Sequence, residues 1–243
     1  MKPIDWSQVR ARFHGSRYCS REGRQEFVAH VFKDLLAEGD VLDVGCSEGH
    51  LGRLLPTRYV GVDRRGRPTV LLDLEQGTLP FADGSFATVV CTDVLEHLEH
   101  LHEIFDECVR VSSAWVILSL PNCCAGCWPQ WPSRRMDRMG KYYGLPVERP
   151  IDRHRWYFSA SQAEDFVRQR CRMVGASVAF LDFTAAGLLK TGLRLLRNAE
   201  RSQWVRDLLT TSVWAVLAKQ DGPASRMEGA SMRALEQPGV MAV

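Results

Sequence analysis

An α/β fold, a mostly parallel sheet with helices packed against it, is what this sequence predicts, and three observations predict it. Short apolar runs alternate with helix-period segments, the pattern of successive βαβ units. Three of the runs carry a carboxylate near their carboxyl ends, at Asp43, Asp63 and Asp73. The first of them breaks at once into a tight turn, Gly45-Cys46-Ser47-Glu48-Gly49, with Leu51, Leu54 and Leu55 following at helical spacing. The chain has 243 residues and 45% of them are apolar, which suits a single compact domain with a sizeable core.

The elements follow in order. Residues 21–38 read as one helix, with Phe27, Val28, Val31, Phe32, Leu35 and Leu36 on one face and Gly39 as its stop. Strands are expected at about 40–44, 58–63, 69–73, 86–91 and 114–120, the last closed by Pro121. Residues 123–155 carry Pro129, Pro132, Pro146 and Pro150 with little periodicity and read as an insertion or lid. A helix over 161–174 is expected to open with the capping box Ser161-x-x-Glu164. Two further strands are expected at about 176–183 and 212–218. Between them Leu188, Leu189, Leu193, Leu195 and Leu196 alternate with Lys190, Arg194 and Arg197, a basic amphipathic helix that either packs on the sheet or touches a membrane peripherally. The domain is expected over 1–219, and 220–243, rich in Gly, Pro, Ser and Ala, reads as a disordered tail.

Composition excludes several classes. No run reaches the ~18–20 apolar residues of a membrane span. The first residues, Met1 to Trp6, lack the apolar core of a signal peptide, so a cytoplasmic location is expected. A net charge of +2 gives no nucleic-acid footprint, and the basic clusters Arg64, Arg65, Arg67 and Arg134, Arg135, Arg138, Lys141 read as solvated faces. Cys46, Cys91 and Cys108 fall within strand and helix patterns and read as small buried apolar groups. Cys124 and Cys127 have the spacing of a zinc half-site, but no second pair follows, so no metal is expected there.

The glycine turn is a place where backbone N–H groups and a helix N-terminus meet a ligand. It is not a dinucleotide fingerprint, because Ser47 and His50 stand where the second and third glycines of G-x-G-x-x-G belong. What remains is D-x-G-x-x-x-G. A second strand ending in Asp63 places a carboxylate where vicinal ribose hydroxyls are bound in open α/β sheets.

In order along the chain, Asp43–Gly49 (DVGCSEG), Val60–Asp63 (VGVD), the turn Leu79–Phe86, Asp93–Leu98 (DVLEHL) and Ser119–Asn122 (SLPN) carry a resemblance. The sequence is similar to class I S-adenosylmethionine-dependent methyltransferases, the broad group that includes the ubiquinone-biosynthesis O-methyltransferases. The motifs that carry the resemblance span about a third of the chain. It implies a Rossmann-like three-layer sandwich with a seven-stranded, mostly parallel sheet, whose last strand is antiparallel and lies between the fifth and sixth. It also implies S-adenosylmethionine as cofactor. On the matching positions it implies contact through Gly45, Cys46, Ser47 and Gly49, with Asp43 orienting the turn and meeting the methionine amino group directly or through water. Asp63 and Arg64 would meet the ribose, Asp73 and Leu74 the adenine, and Asp93 and Val94 would line the pocket. Many members carry glycine where Ser47 stands, so a more crowded turn is expected.

Chemistry beyond binding is less marked. His97, next to the pocket-lining loop, is a candidate base. It also sits in a polar run with Glu96, Glu99, His100, His102 and Glu103 that reads equally as a solvated helix face. His154 and Tyr157, within Asp152–Phe158, are candidates to hold an anionic or aromatic small-molecule substrate together with Arg153 and Arg155. The alternative there is an ion-paired loop over buried aromatics. Methyl transfer mainly demands alignment of a nucleophile, so an absent base does not count against it. Two other readings stay open: methylation of RNA or protein, and a non-catalytic cofactor-binding module.

Overall fold

The computed structural model describes residues 3–127, 148, 153–185 and 203–219. The expected tail at 220–243, the amphipathic segment at 188–197 and most of the expected insertion lie outside the described residues. The strands are β1 Val41–Val44, β2 Tyr59–Asp63, β3 Val70–Leu71, β4 Phe86–Thr92, β5 Ser112–Pro121, β6 Ala176–Ala185 and β7 Thr210–Lys219. The helices are α1 Trp6–Gly15, α2 Arg21–Val31, α3 Lys33–Leu36, α4 His50–Leu54, α5 Leu101–Val111, α6 Cys123–Cys127, α7 Ala160–Met173 and α8 Gln203–Leu209, with 3-10 turns at Leu74–Gln76 and Leu95–His97. The sheet order is β3-β2-β1-β4-β5-β7-β6, parallel except that β7 runs antiparallel to both β5 and β6. This is the seven-stranded sheet expected, with the last strand inserted between the fifth and sixth.

Strand alternation divides the core into two layers. On β5, Val116, Leu118 and Leu120 face α5 and α7, while Trp115 and Ile117 face α1 to α3. β7 repeats the pattern, with Val213, Ala215 and Leu217 on one side and Trp214, Val216 and Ala218 on the other. Both faces are covered, which is why these strands read as continuous apolar runs.

Four details depart from the sequence reading. Helix α1 was not expected: only Val9 and Phe13 are buried along it, too few for a clear period. Its start is nonetheless encoded, since Asp5 caps the N–H groups of Ser7 and Gln8. The helix expected over 21–38 is broken at Phe32, whose ring packs against Phe180 and Trp214. Expected strand 69–73 shrinks to two residues, because Asp73 turns outward to cap the 3-10 turn at Glu75 N. The capping box of α7 is Ser159 and Gln162 rather than Ser161 and Glu164. Ser161 N donates to Asp207 instead (2.7 Å), and Glu164 pairs with Arg168 and Arg206.

Candidate functional site

The carboxyl ends of β1, β2 and β4 lie side by side, and the loops leaving them meet over one cleft. At the end of β1 the chain turns back on itself: Gly45 N and Cys46 N both donate to Val62 O of β2, at 2.8 and 3.1 Å. Gly45 has φ +78°, and a Cβ there would sit 2.3 Å from Val94 Cγ2, so only glycine fits both the dihedral and the space. Ser47 adopts φ +51°, a conformation glycine enters without strain. The crowded turn expected at this serine is thus a strained one. The loop after β2 clamps it: Arg67 N donates to Ser47 O (2.8 Å), and Gly66 passes so close that a Cβ would lie 2.2 Å from that oxygen.

Asp63 ties the two loops together. Its Oδ2 accepts Ser47 N at 2.9 Å and its Oδ1 accepts Arg65 N at 3.0 Å. A carboxylate has about four lone-pair sites, so two remain for hydroxyl donors from the cleft. Asp43 is placed differently. It is 1% exposed, accepts the Tyr59 hydroxyl at 2.8 Å, and stands behind the cleft wall. Burial pushes its pKa up to about 7, against the lowering effects of Tyr59 and the Arg24 charge. Its contribution is to the turn from below, and it does not itself line the cleft. Burial likewise pushes the Cys46 thiol up to about 12, which makes it a wall group and not a nucleophile.

The cleft holds about 410 Å³. Of the residues expected at the cofactor, Gly45, Cys46, Ser47, Asp63, Arg64, Asp73, Leu74, Asp93 and Val94 line it. Gly49 does not; it caps α4 with φ +63°. The first turns of α2 supply wall residues that the sequence reading missed, Arg21, Glu22, Arg24 and Gln25. Arg24 pairs with Asp93, whose other oxygen accepts the Ser119 hydroxyl at 2.5 Å and whose backbone is held at φ +52°. The only sequence trace of this is a basic pair at helical spacing, Arg21 and Arg24, just after the cap Ser20.

Among the expected catalytic residues, His97 lines the cleft, while His154 and Tyr157 do not. His154 is 2% exposed and packs edge-on against His97, with ring centroids 4.4 Å apart. Between them stands Glu96, 0% exposed. The segment carrying His154 is strapped down by Arg155 N and Trp156 N, which donate to Glu96 O at 2.8 and 3.3 Å. Arg155 does not wait for an anion: its guanidinium pairs with Glu75 (2.9 Å) and Glu99 (3.3 Å) and donates to His97 O. The ion-paired alternative holds for this arginine. His100, half exposed beside Glu103, belongs to the solvated face.

The donor set fits S-adenosylmethionine. Asp63 offers oxygens at the end of the second strand for a ribose, and Asp73 with Leu74 offers an acceptor and an apolar face for an adenine. The Cβ-free Gly45 gives backbone access, and Arg24, ion-paired with Asp93, lies on the same cleft wall. Among the described residues, no helix is long and apolar enough to cross a membrane.

Comparison with known proteins agrees with this arrangement. Residues 16–170 match the model of the family described as "Methyltransferase domain". No curated protein matches the chain in sequence. Among solved structures, the chain is similar to a SAM-dependent methyltransferase from Archaeoglobus fulgidus, at 17% identity and TM-score 0.57, over 89% of this chain and 100% of that one. A SAM-dependent methyltransferase from Methanosarcina mazei aligns at 14% identity and TM-score 0.51, over 78% and 96% of the two chains. The chain belongs to the methyltransferase-domain family, and with this fold and donor set it is a class I S-adenosylmethionine-dependent methyltransferase.

Proposed function

We propose that the acceptor is a small metabolite, methylated in line at the His97–Leu98 end of the cleft. The observation that carries this reading is the balance of charge around the opening. Arg24 is paired with Asp93, Arg67 with Glu48, and Arg155 with Glu75 and Glu99. Among the described residues these arginines are matched by carboxylates, whereas Arg64 and Arg65 on the cleft wall are not so matched, and a surface that binds RNA or DNA carries many more such cations along its path. The cofactor supplies an electrophilic methyl on a sulfonium. The chain aligns the acceptor and keeps water from the reacting carbon. Asp63, Asp73 and Leu74 would hold the nucleoside, Gly45, Cys46 and Ser47 the aliphatic chain, and Arg24 its carboxylate. His97 is the side chain suited to take a proton from the acceptor, because it lines the cleft, with its Nδ1 3.3 Å from Arg153 O and its Nε2 3.6 Å from Glu96 Oε1.

An anionic acceptor is the narrower form of the proposal. With Arg155 committed, the exposed Arg153 is the cation of that segment left to meet it. The test is a labelled-methyl assay on size-fractionated cell extract. Label in the low-molecular-weight pool supports the reading; label confined to RNA or protein overturns it. A severalfold rise in KM for Arg153→Ala, with kcat retained, identifies an anionic acceptor, and unchanged KM removes that narrower claim.

A further inference from the structure

We propose that Glu96, His97 and His154 form a site for a single first-row divalent cation at the acceptor end of the cleft. The three ligating atoms lie within 4.8 Å of one another. Glu96 Oε1 is 3.6 Å from His97 Nε2 and 3.9 Å from His154 Nε2. Around an ion with bonds of about 2.0–2.2 Å, neighbouring tetrahedral ligands stand roughly 3.3–3.6 Å apart. A small inward movement of the side chains closes the set.

The orientation of the rings matters more than their proximity. Each imidazole turns its Nε2 toward the same carboxylate oxygen and has its Nδ1 against another group. His97 Nδ1 is 3.3 Å from Arg153 O, and His154 Nδ1 is 3.8 Å from Cys123 Sγ. A backbone carbonyl at Nδ1 takes the N–H and leaves the Nε2 lone pair for a metal, the outer-partner arrangement that fixes ligating histidines. The backbone is braced as well, since Arg155 N and Trp156 N both donate to Glu96 O. The loop bearing His154 is therefore held on the turn bearing Glu96 and His97.

Burial gives the energetic reason. Glu96 is 0% exposed and His154 2%, and a buried carboxylate needs positive charge beside it. A proton shared with either imidazole is one answer, and a divalent ion is the other. Two nitrogens and one carboxylate suit Mn²⁺ to Zn²⁺ better than Mg²⁺ or Ca²⁺, which prefer oxygen ligands throughout. Three protein ligands also leave coordination positions open, and His97 lies on the cleft wall, so these face the acceptor. Resting on the methyl-transfer reading, the ion would take an acceptor hydroxyl. Coordination lowers the pKa of that hydroxyl, its proton passes to solvent, and an oxygen nucleophile is presented without a general base. The structure thereby favours O-methylation of a hydroxyl-bearing metabolite. His97 then acts as a ligand in place of the base suggested above.

The test uses the full chain, freed of metal by chelation and titrated with Zn²⁺ and Mn²⁺ by calorimetry, with S-adenosylhomocysteine affinity measured on the same samples. One ion per chain is expected, with affinity falling at least ~100-fold in His154→Gln and in Glu96→Gln. S-adenosylhomocysteine affinity should stay within about twofold in His154→Gln, since His154 is not on the cleft wall. Should Glu96→Gln fail to fold, Co²⁺ added to the wild type reads the same ligands through its visible bands, which His154→Gln should abolish. No saturable Zn²⁺ or Mn²⁺ binding by the wild type, or equal binding by wild type and His154→Gln, overturns the proposal. Failure of the methyl-transfer reading would show separately, as absent S-adenosylhomocysteine binding in the metal-free protein.

Discussion

Replacing Gly45 with alanine tests the turn on which the cofactor site is built. The residue sits at φ +78°, where a Cβ costs about 1–2 kcal/mol. The same Cβ would lie 2.3 Å from Val94 Cγ2, 3.2 Å from its Cγ1 and 3.3 Å from its Cβ, so Val94 must move. Overpacking of that kind costs about 1–3 kcal/mol, giving about 2–5 kcal/mol in all. For a chain of this length each kcal/mol lowers Tm by about 2–4 °C, so a fall of roughly 4–20 °C is expected. Thermal and urea unfolding give the loss directly. Adding Val94→Ala removes both γ-carbons and should restore the steric part while leaving the dihedral part. A positive coupling of about 1–3 kcal/mol between the two changes is therefore expected. Binding of S-adenosylhomocysteine should stay weak even in the double variant, because the added methyl still blocks the backbone's approach. A Gly45→Ala protein within about 0.5 kcal/mol of wild type, binding normally, would refute the reasoning.

Three further outcomes are expected. Asp63→Ala should weaken cofactor binding by about 1.5–3 kcal/mol in calorimetry, the scale of hydrogen bonds to a charged group. It should also lower Tm, since Ser47 N and Arg65 N lose their acceptor. Asp43 has its pKa raised from 3.8 to about 7, so the folded state keeps a proton across about pH 4–7 that the unfolded chain has released. Its contribution is thus most favourable at the acid end and is lost as pH rises through that window, by at most about 4 kcal/mol at about 1.4 kcal/mol per pH unit. Urea unfolding of wild type and Asp43→Asn from pH 4 to 8 should show that slope in the wild type alone. Arg155→Ala, which breaks pairs with Glu75 and Glu99 at the exposed edge, should cost under about 1 kcal/mol of stability. An Arg155→Ala loss above about 2 kcal/mol would mean these pairs are not screened as an exposed edge should be.

The sheet and the glycine turn were legible because their signals are local. Asp43, Gly45 and Asp63 each report on the few residues around them, and strand polarity turns those reports into a shared cleft. What was not legible depends on contacts far apart in sequence. Arg24 reaches the cleft from α2, which packs against α4, the helix that follows the β1 turn, and its partner Asp93 lies beyond β4. The break at Phe32 follows from aromatic packing against β6 and β7, which no helical period records. At α7, two overlapping serine patterns compete, and the choice of Ser159 over Ser161 is settled by Asp207 on α8. The polar run at Glu96–Glu103 held two answers at once. Glu96 and His97 turn inward to meet His154, while His100 and Glu103 stay in water. A short 3-10 turn at Leu95–His97, followed by the start of α5, separates the two sets.

The central claim is that the carboxyl ends of β1, β2 and β4 bind S-adenosylmethionine, and a crystal structure with S-adenosylhomocysteine tests it most directly. The ribose hydroxyls should lie within hydrogen-bond distance of Asp63, with the adenine against Leu74 and the amino-acid end over Gly45 beside Arg24. Density for the ligand anywhere else, or a ribose out of reach of Asp63, would contradict it.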